Sequence, residues 1–137
     1  MSDAESFFDT SVLLYLLSAE AEKADQAEQL LEQSGAISVQ VLNEFTAVAI
    51  RKLGLSYAEI HEVLGTVRAL CVTHALTVEH HEKGTEIAER YGFSFYDSVI
   101  VAAALLAGCR TLYSEDLQHR QVIDKQLTVL NPFSKSR

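Results

Sequence analysis

Residues 93–116 read FSFYDSVIVAAALLAGCRTLYSED, and three changes of character along them decide the fold class. Ser94 and Asp97 stand in the S-x-x-D spacing of a capping box, and Val99 to Ala107 is a run of nine apolar residues suited to a buried helix. That run is far shorter than the roughly 20 residues a membrane-crossing helix needs, so it belongs to a core and not to a bilayer. Gly108 stops the helix, RTLYS at 110–114 reads as a strand, and the acids of SED at 114–116 follow at once.

Working outward, the same alternation recurs. SFFD at 6–9 is a short strand ending on Asp9, and TSVLLYLLS behind it carries Val12, Leu13, Leu16 and Leu17 at helical spacing. A charged helix over 20–33 ends before Gly35, after which AISV at 36–39 reads as a second strand. VLNEFTAVAIRKLG at 41–54 gathers Val41, Leu42, Phe45, Val48 and Ala49 on one side, with Glu44 near its start and Gly54 as its stop. Ser56 and Glu59 form a second capping box, opening a helix to residue 70, and LCV at 70–72 is a third strand. Thr77 opens a helix to Tyr91, stopped by Gly92, and LTVLN at 127–131 is the last strand before Pro132. Strands separated by one or two helices predict an α/β fold with a mainly parallel sheet and right-handed crossovers.

Composition narrows the classes. A chain of 137 residues with 48% hydrophobic content supplies one substantial core, so a single domain over 1–137 is expected. MSDAESFFDTS at the start lacks the basic and long apolar regions of a signal peptide, which predicts a cytoplasmic protein. Cys71 and Cys109 lie far apart with no C-x-x-C pair and no histidine at zinc spacing, so both read as buried thiols. His80 and His81 are adjacent, point about 100° apart on a helix, and read as surface residues. A net charge of −8 argues against a broad basic face for nucleic acid, but not against nucleic acid reached through bound cations.

In a parallel sheet the ligand crevice lies outside the carboxyl ends of the strands. Asp9 and Asp116 follow strands there, and Glu44 and Asp97 lie near helix N-termini that return to the same edge. Four carboxylates distant in sequence thus have a route to one place. The route is equally open to Glu115 and Glu20, and each acid alone is explained as well by helix capping, the helix dipole or a solvated loop.

FFDTSVLLYLL, ISVQVLNEF around Glu44, FSFYDSVIVAAALLAGC around Asp97 and LYSEDLQ around Asp116, in that order and closing with LNPF, resemble a PIN-domain protein of the VapC type along nearly the whole chain. The resemblance implies a three-layer α/β/α sandwich and a metal-dependent ribonuclease, the toxin half of a toxin–antitoxin pair. It implies that Asp9, Glu44, Asp97 and Asp116 form an acidic metal-binding quartet, with Thr10, Ser11 and Ser114 as supporting or substrate-contacting hydroxyls. The ion implied is Mg²⁺, with Mn²⁺ as its substitute; both are hard cations that prefer carboxylate and water oxygens.

The partners implied are an RNA substrate, a small antitoxin with a basic segment for the acidic cleft, and a second copy in a homodimer. Leu13, Leu16 and Leu17 are candidates for the dimer face, although core packing explains them equally well. Arg51, Lys52, Arg110 and Arg120 are basic residues that are candidates for setting RNA choice, each explained as well by plain surface charge. One departure stands out: where many relatives carry glycine near Arg120 and near Lys125, this chain has basic or polar residues, which alters the loop beside the acids. Rival readings are weaker. A haloacid-dehalogenase-like phosphatase wants D-x-D where Ser11 stands, a receiver domain wants paired early acids and a late lysine, and a non-catalytic binding module on the same fold has all four acids against it.

Overall fold

The computed structural model describes residues 5–134; residues 1–4, part of the stretch read for a leader, lie outside it. Strand β1 (Ser6–Phe8) runs into a short helix α1 (Thr10–Leu14), which tightens into a 3₁₀ turn at Tyr15–Leu17. Then come α2 (Ala21–Glu32), β2 (Gly35–Ser38), α3 (Val39–Leu53), α4 (Tyr57–Leu70), β3 (Cys71–His74), α5 (Val78–Tyr91) and α6 (Phe95–Leu106). Strands β4 (Thr111–Tyr113), β5 (Val122–Ile123) and β6 (Leu127–Leu130) complete the order.

The six strands form one sheet in the order β3-β2-β1-β4-β6-β5, parallel throughout except for β5, which pairs antiparallel with β6. With helices covering the sheet, this is the expected three-layer α/β/α sandwich. The chain steps outward from β1 to β2 and β3, then returns to lay β4 on the other side of β1. Such a reversal opens a crevice at the carboxyl ends of the two strands it separates, here β1 and β4.

The helix behind Asp97 is as buried as its composition requires. Every residue from Ser98 to Leu105 is buried, and α6 packs along α5. Phe7, Phe8, Ile37, Phe45, Ile100 and Leu112 fill the centre with less than 2% of their surface exposed. At about 25 cal/mol per Å² of apolar area buried, each such side chain contributes about 2 kcal/mol toward fixing α6 and the strands as one body. Leu13 is fully buried among them, which removes it from the candidate dimer face. Leu16 and Leu17 are half-buried and line a groove of about 380 Å³ with Leu31, Val63 and Val67.

Local signals hold where side chain and backbone agree. Gly54 and Gly92 close α3 and α5 at φ of 67° and 77°, the left-handed cap expected of them. The residue that turns the chain after α2, however, is Ser34 at φ 71°. Gly35 lies inside β2 for a different reason: a Cβ there would stand 2.4 Å from the Phe8 ring. The third strand runs from Cys71 to His74, later than the expected 70–72, because Leu70 still belongs to α4. His80 is also more than a surface residue: its Nδ1 lies 2.7 Å from Thr77 Oγ1 and accepts from Thr77 N–H, closing the N-terminal box of α5. Cys71 and Cys109 are both buried, as expected.

Strand β5 has no counterpart in the sequence reading, because two residues leave no detectable periodicity. The turn that joins it to β6 holds Asp124 at φ 50° and Lys125 at φ 58°, closed by Gln126 N–H to Ile123 C=O at 3.0 Å. Arg120 is also left-handed, at φ 73°. The chain thus keeps a glycine-type backbone at these places without glycine. Asp124 tolerates it and is anchored to Lys83, Arg90 and the Tyr91 hydroxyl. Among the described residues, Lys125 has no such anchor. Lys125→Gly is expected to stabilise the protein by about 1 kcal/mol, seen as a melting temperature higher by about 3 °C, because glycine enters that region freely.

Candidate functional site

The site grows from the ends of β1 and β4. Phe8 pairs with Tyr113, so one step further brings Asp9 level with Ser114; Phe7 pairs with Ala36, so two steps further bring Asp9 level with Ser38. Asp9 thus sits between two serines on neighbouring strands. Its Oδ1 accepts from the Thr10 N–H at 2.7 Å, which caps α1. Its Oδ2 accepts from Ser114 Oγ at 2.7 Å and Ser11 Oγ at 3.1 Å. With only 3% of its surface exposed, Asp9 is a buried carboxylate fixed by three donors.

Those donors do not fully offset its surroundings. Burial raises the Asp9 pKa from 3.8 to about 7, with Asp116 and Asp97 adding to the rise, while Ser114 and Ser11 pull against it. Burial also raises Asp97, with Glu44 adding to it and Ser94 opposing. Asp116 rises by burial of its carboxylate, then by Asp97 and Glu115. The repulsions tie Glu44 to Asp97, and Asp97 to both Asp9 and Asp116.

Each member is aimed by its own element. Glu44, one turn into α3, accepts from Thr10 Oγ1 at 3.1 Å and from Gln40 Nε2 at 2.8 Å. Gln40 is a partner the sequence reading missed, although its i,i+4 spacing to Glu44 is the signal for it. Asp97 stands in the first turn of α6, where Ser94 Oγ accepts its N–H at 3.2 Å. Ser114 Oγ accepts from the N–H groups of Asp116 and Leu117 while donating to Asp9, so one hydroxyl fixes the loop and the buried acid together.

The acids left open by sequence now separate. Glu20 is exposed at the N-cap of α2, with Lys23 Nζ at 4.0 Å. Glu115 accepts from the Tyr15 hydroxyl at 2.7 Å, a bond that pushes Tyr15 up to about 12, and its N–H donates to Ser11 Oγ. Beside Asp116 opens a cleft of about 620 Å³ whose polar lining includes Thr10, Ser11, Glu44, Glu115 and Asp116.

Among the described residues, no three acidic, histidine or cysteine side chains stand close enough to cage a metal ion as they are. The donor set nevertheless fits a hard divalent cation. Mg²⁺ keeps most of its waters and takes only one or two carboxylates, and every candidate donor is a carboxylate or hydroxyl oxygen. Ser38 Oγ, fully buried beside Asp9 in register, has no hydrogen-bond partner among the described residues. A cation would also relieve the repulsion that raises Asp9, Asp97 and Asp116.

Fold and site together define an α/β sandwich with an acidic cleft at its topological switch point. The PIN domain model matches residues 6–125, so the chain belongs to the PIN domain family. No curated protein matches the sequence. Solved structures share the fold at low identity. A toxin–antitoxin complex from Klebsiella pneumoniae aligns with a TM-score of 0.70 at 21% identity, over 93% of this chain and 98% of that one. VapBC2 from Rickettsia felis, bound to a DNA fragment from its promoter, aligns at 0.65 and 16% identity over 92% and 98%. The sarcin-ricin loop cleaving toxin VapC20 from Mycobacterium tuberculosis aligns at 0.63 and 21% over 81% and 89%.

Proposed function

We propose that this protein is a metal-dependent endoribonuclease and the toxin of a type II toxin–antitoxin pair, acting as one domain in the cytoplasm. The observation that carries the reading is Asp9: a buried carboxylate at the carboxyl edge of the sheet, held by Ser114, Ser11 and Thr10 and coupled to Asp97 and Asp116. Asp9, Glu44, Asp97 and Asp116 would hold the ion. When bound, Mg²⁺ or Mn²⁺ supplies neutralisation of phosphate charge and a water of lowered pKa. The chain's own contribution is rigidity: Thr10 and Gln40 hold the two oxygens of Glu44, and Ser114 holds Asp9 and the Asp116 loop at once. Carboxylates fixed in this way need no reorganisation when charge develops on the phosphate.

Attack by water on phosphorus with departure of the ribose 3′-oxygen leaves a 5′-phosphate and a 3′-hydroxyl, whereas attack by the ribose 2′-hydroxyl with departure of the 5′-oxygen leaves a cyclic phosphate and a 5′-hydroxyl. Incubation with RNA and Mg²⁺ or Mn²⁺ is expected to give products with 5′-phosphate ends, and excess EDTA to abolish cleavage. Cyclic ends, or activity that survives EDTA, would overturn the mechanism. A sample that cuts no RNA and takes up neither ion by calorimetry would instead support a binding module on the same fold.

The acidic cleft suits an antitoxin segment bearing arginine, whose fork pairs with carboxylates. The Klebsiella structure that shares this fold is a toxin–antitoxin complex, which supports looking for such a partner. A homodimer is proposed as well, and sedimentation of the purified chain measures it.

A further inference from the structure

Sequence offers four basic residues as candidates for contact with RNA, and the fold treats them differently. Arg110 precedes β4, at the edge of the sheet opposite the acids. Arg120 is on the loop after β4, its backbone N–H bonded to Val129 C=O. Arg51 is exposed on α3 but does not line the acidic cleft. Lys52 does, together with Glu44, Glu115 and Asp116.

Resting on the ribonuclease reading, we infer that Lys52 is a substrate-binding residue, holding a backbone phosphate of the RNA strand away from the scissile one. Glu44, Val48 and Lys52 all line the cleft from α3, so the cleft follows that helix. Eight residues at 1.5 Å each put Lys52 about 12 Å beyond Glu44, roughly two to four nucleotides along a strand, from extended to stacked. Lys52 is exposed and has no ion-pair or hydrogen-bond partner among the described residues, so its charge is uncommitted.

The other walls leave this role to Lys52. Leu14, Leu17, Val48 and Leu53 provide apolar contact without charge. Tyr15 is a fixed wall and not a free stacking platform: Lys23 Nζ lies 5.1 Å from its ring centroid, Phe133 packs at 4.2 Å, and its hydroxyl is held by Glu115. In a chain of net charge −8 with three carboxylates on this cleft, the single lysine among the described residues that line it is the group that attracts phosphate.

The test compares Lys52→Ala, Lys52→Arg and Arg51→Ala on a labelled single-stranded RNA that the wild type cuts. Lys52→Ala is expected to raise KM about 5- to 10-fold with kcat within about twofold, and to shrink the slope of log KM against log salt by roughly 0.7. Lys52→Arg restores KM, and Arg51→Ala, which removes the same charge one residue away, behaves as wild type. Equal shifts from Lys52→Ala and Arg51→Ala, or an unchanged KM in Lys52→Ala, overturn the inference. Fluorescence anisotropy of the same RNA in EDTA at low salt separates it from the reading it rests on. If the wild type cuts nothing but Lys52→Ala alone weakens binding, the Lys52 contact stands and the nuclease falls.

Discussion

Asp9→Asn is expected to lose about 10³-fold or more of metal-dependent RNA cleavage while making the metal-free protein more stable above neutral pH. The two effects have one cause. Asp9 is buried, and burial with Asp116 and Asp97 nearby raises its pKa to about 7 from the 3.8 of an unfolded chain. Between those values the unfolded chain has released a proton that the folded one retains. Stability of the metal-free protein therefore falls as pH rises from about 4 to about 7 and levels off beyond, by at most about 4 kcal/mol. Asparagine does not titrate; its one amide oxygen still accepts the Thr10 N–H and caps α1, while its N–H₂ turns toward the Ser114 and Ser11 hydroxyls as donor. The melting-temperature advantage of the variant should be near zero at pH 4 and largest at pH 8. Mn²⁺ should raise the melting temperature of the wild type and leave the variant unmoved. A variant as active as the wild type would remove Asp9 from the site.

Asp97→Asn separates two jobs that sequence could not tell apart. As a first-turn acid, Asp97 favours the α6 dipole by about 0.3–1 kcal/mol. Glu44 repels it, which offsets part of that gain. The substitution should therefore change stability by less than about 1 kcal/mol while lowering cleavage about 10²-fold or more, since α6 is anchored by the apolar residues behind it. Ser94→Ala makes the control: it deletes the cap that accepts the Asp97 N–H and should cost about 1 kcal/mol. Parallel activity and chemical-denaturation curves measure both. Full activity with a large loss of stability in Asp97→Asn would show that the residue serves only the helix.

Much of the fold was legible because its signals are local. The capping box at Ser56, the helix start at Thr77, the glycine stops at Gly54 and Gly92, and the apolar run of α6 each act within a few residues. Misread places were those where a distant atom decides. Position 35 needs glycine because of the Phe8 ring, Ser34 turns the chain in its stead, and Leu13, left open between core and dimer face, belongs to the core. Strand β5 exists because β6 pairs with it.

The sequence by itself determined the order of strands and helices apart from β5, and with it which acids end strands or open helices, because backbone periodicity and capping are short-range. It could not rank Glu115 or Glu20 against Asp116, nor Arg51 against Lys52, since the members of each set carry the same charge and have no local signal to separate them. Tertiary structure gives them different surroundings. Tyr15 holds Glu115, Lys23 pairs with Glu20, and the course of α3 along the cleft brings Lys52 onto its wall but not Arg51. Only packing of the whole sheet buries Asp9 among like charges, because the low-dielectric surroundings that raise its pKa are built by residues a hundred positions apart.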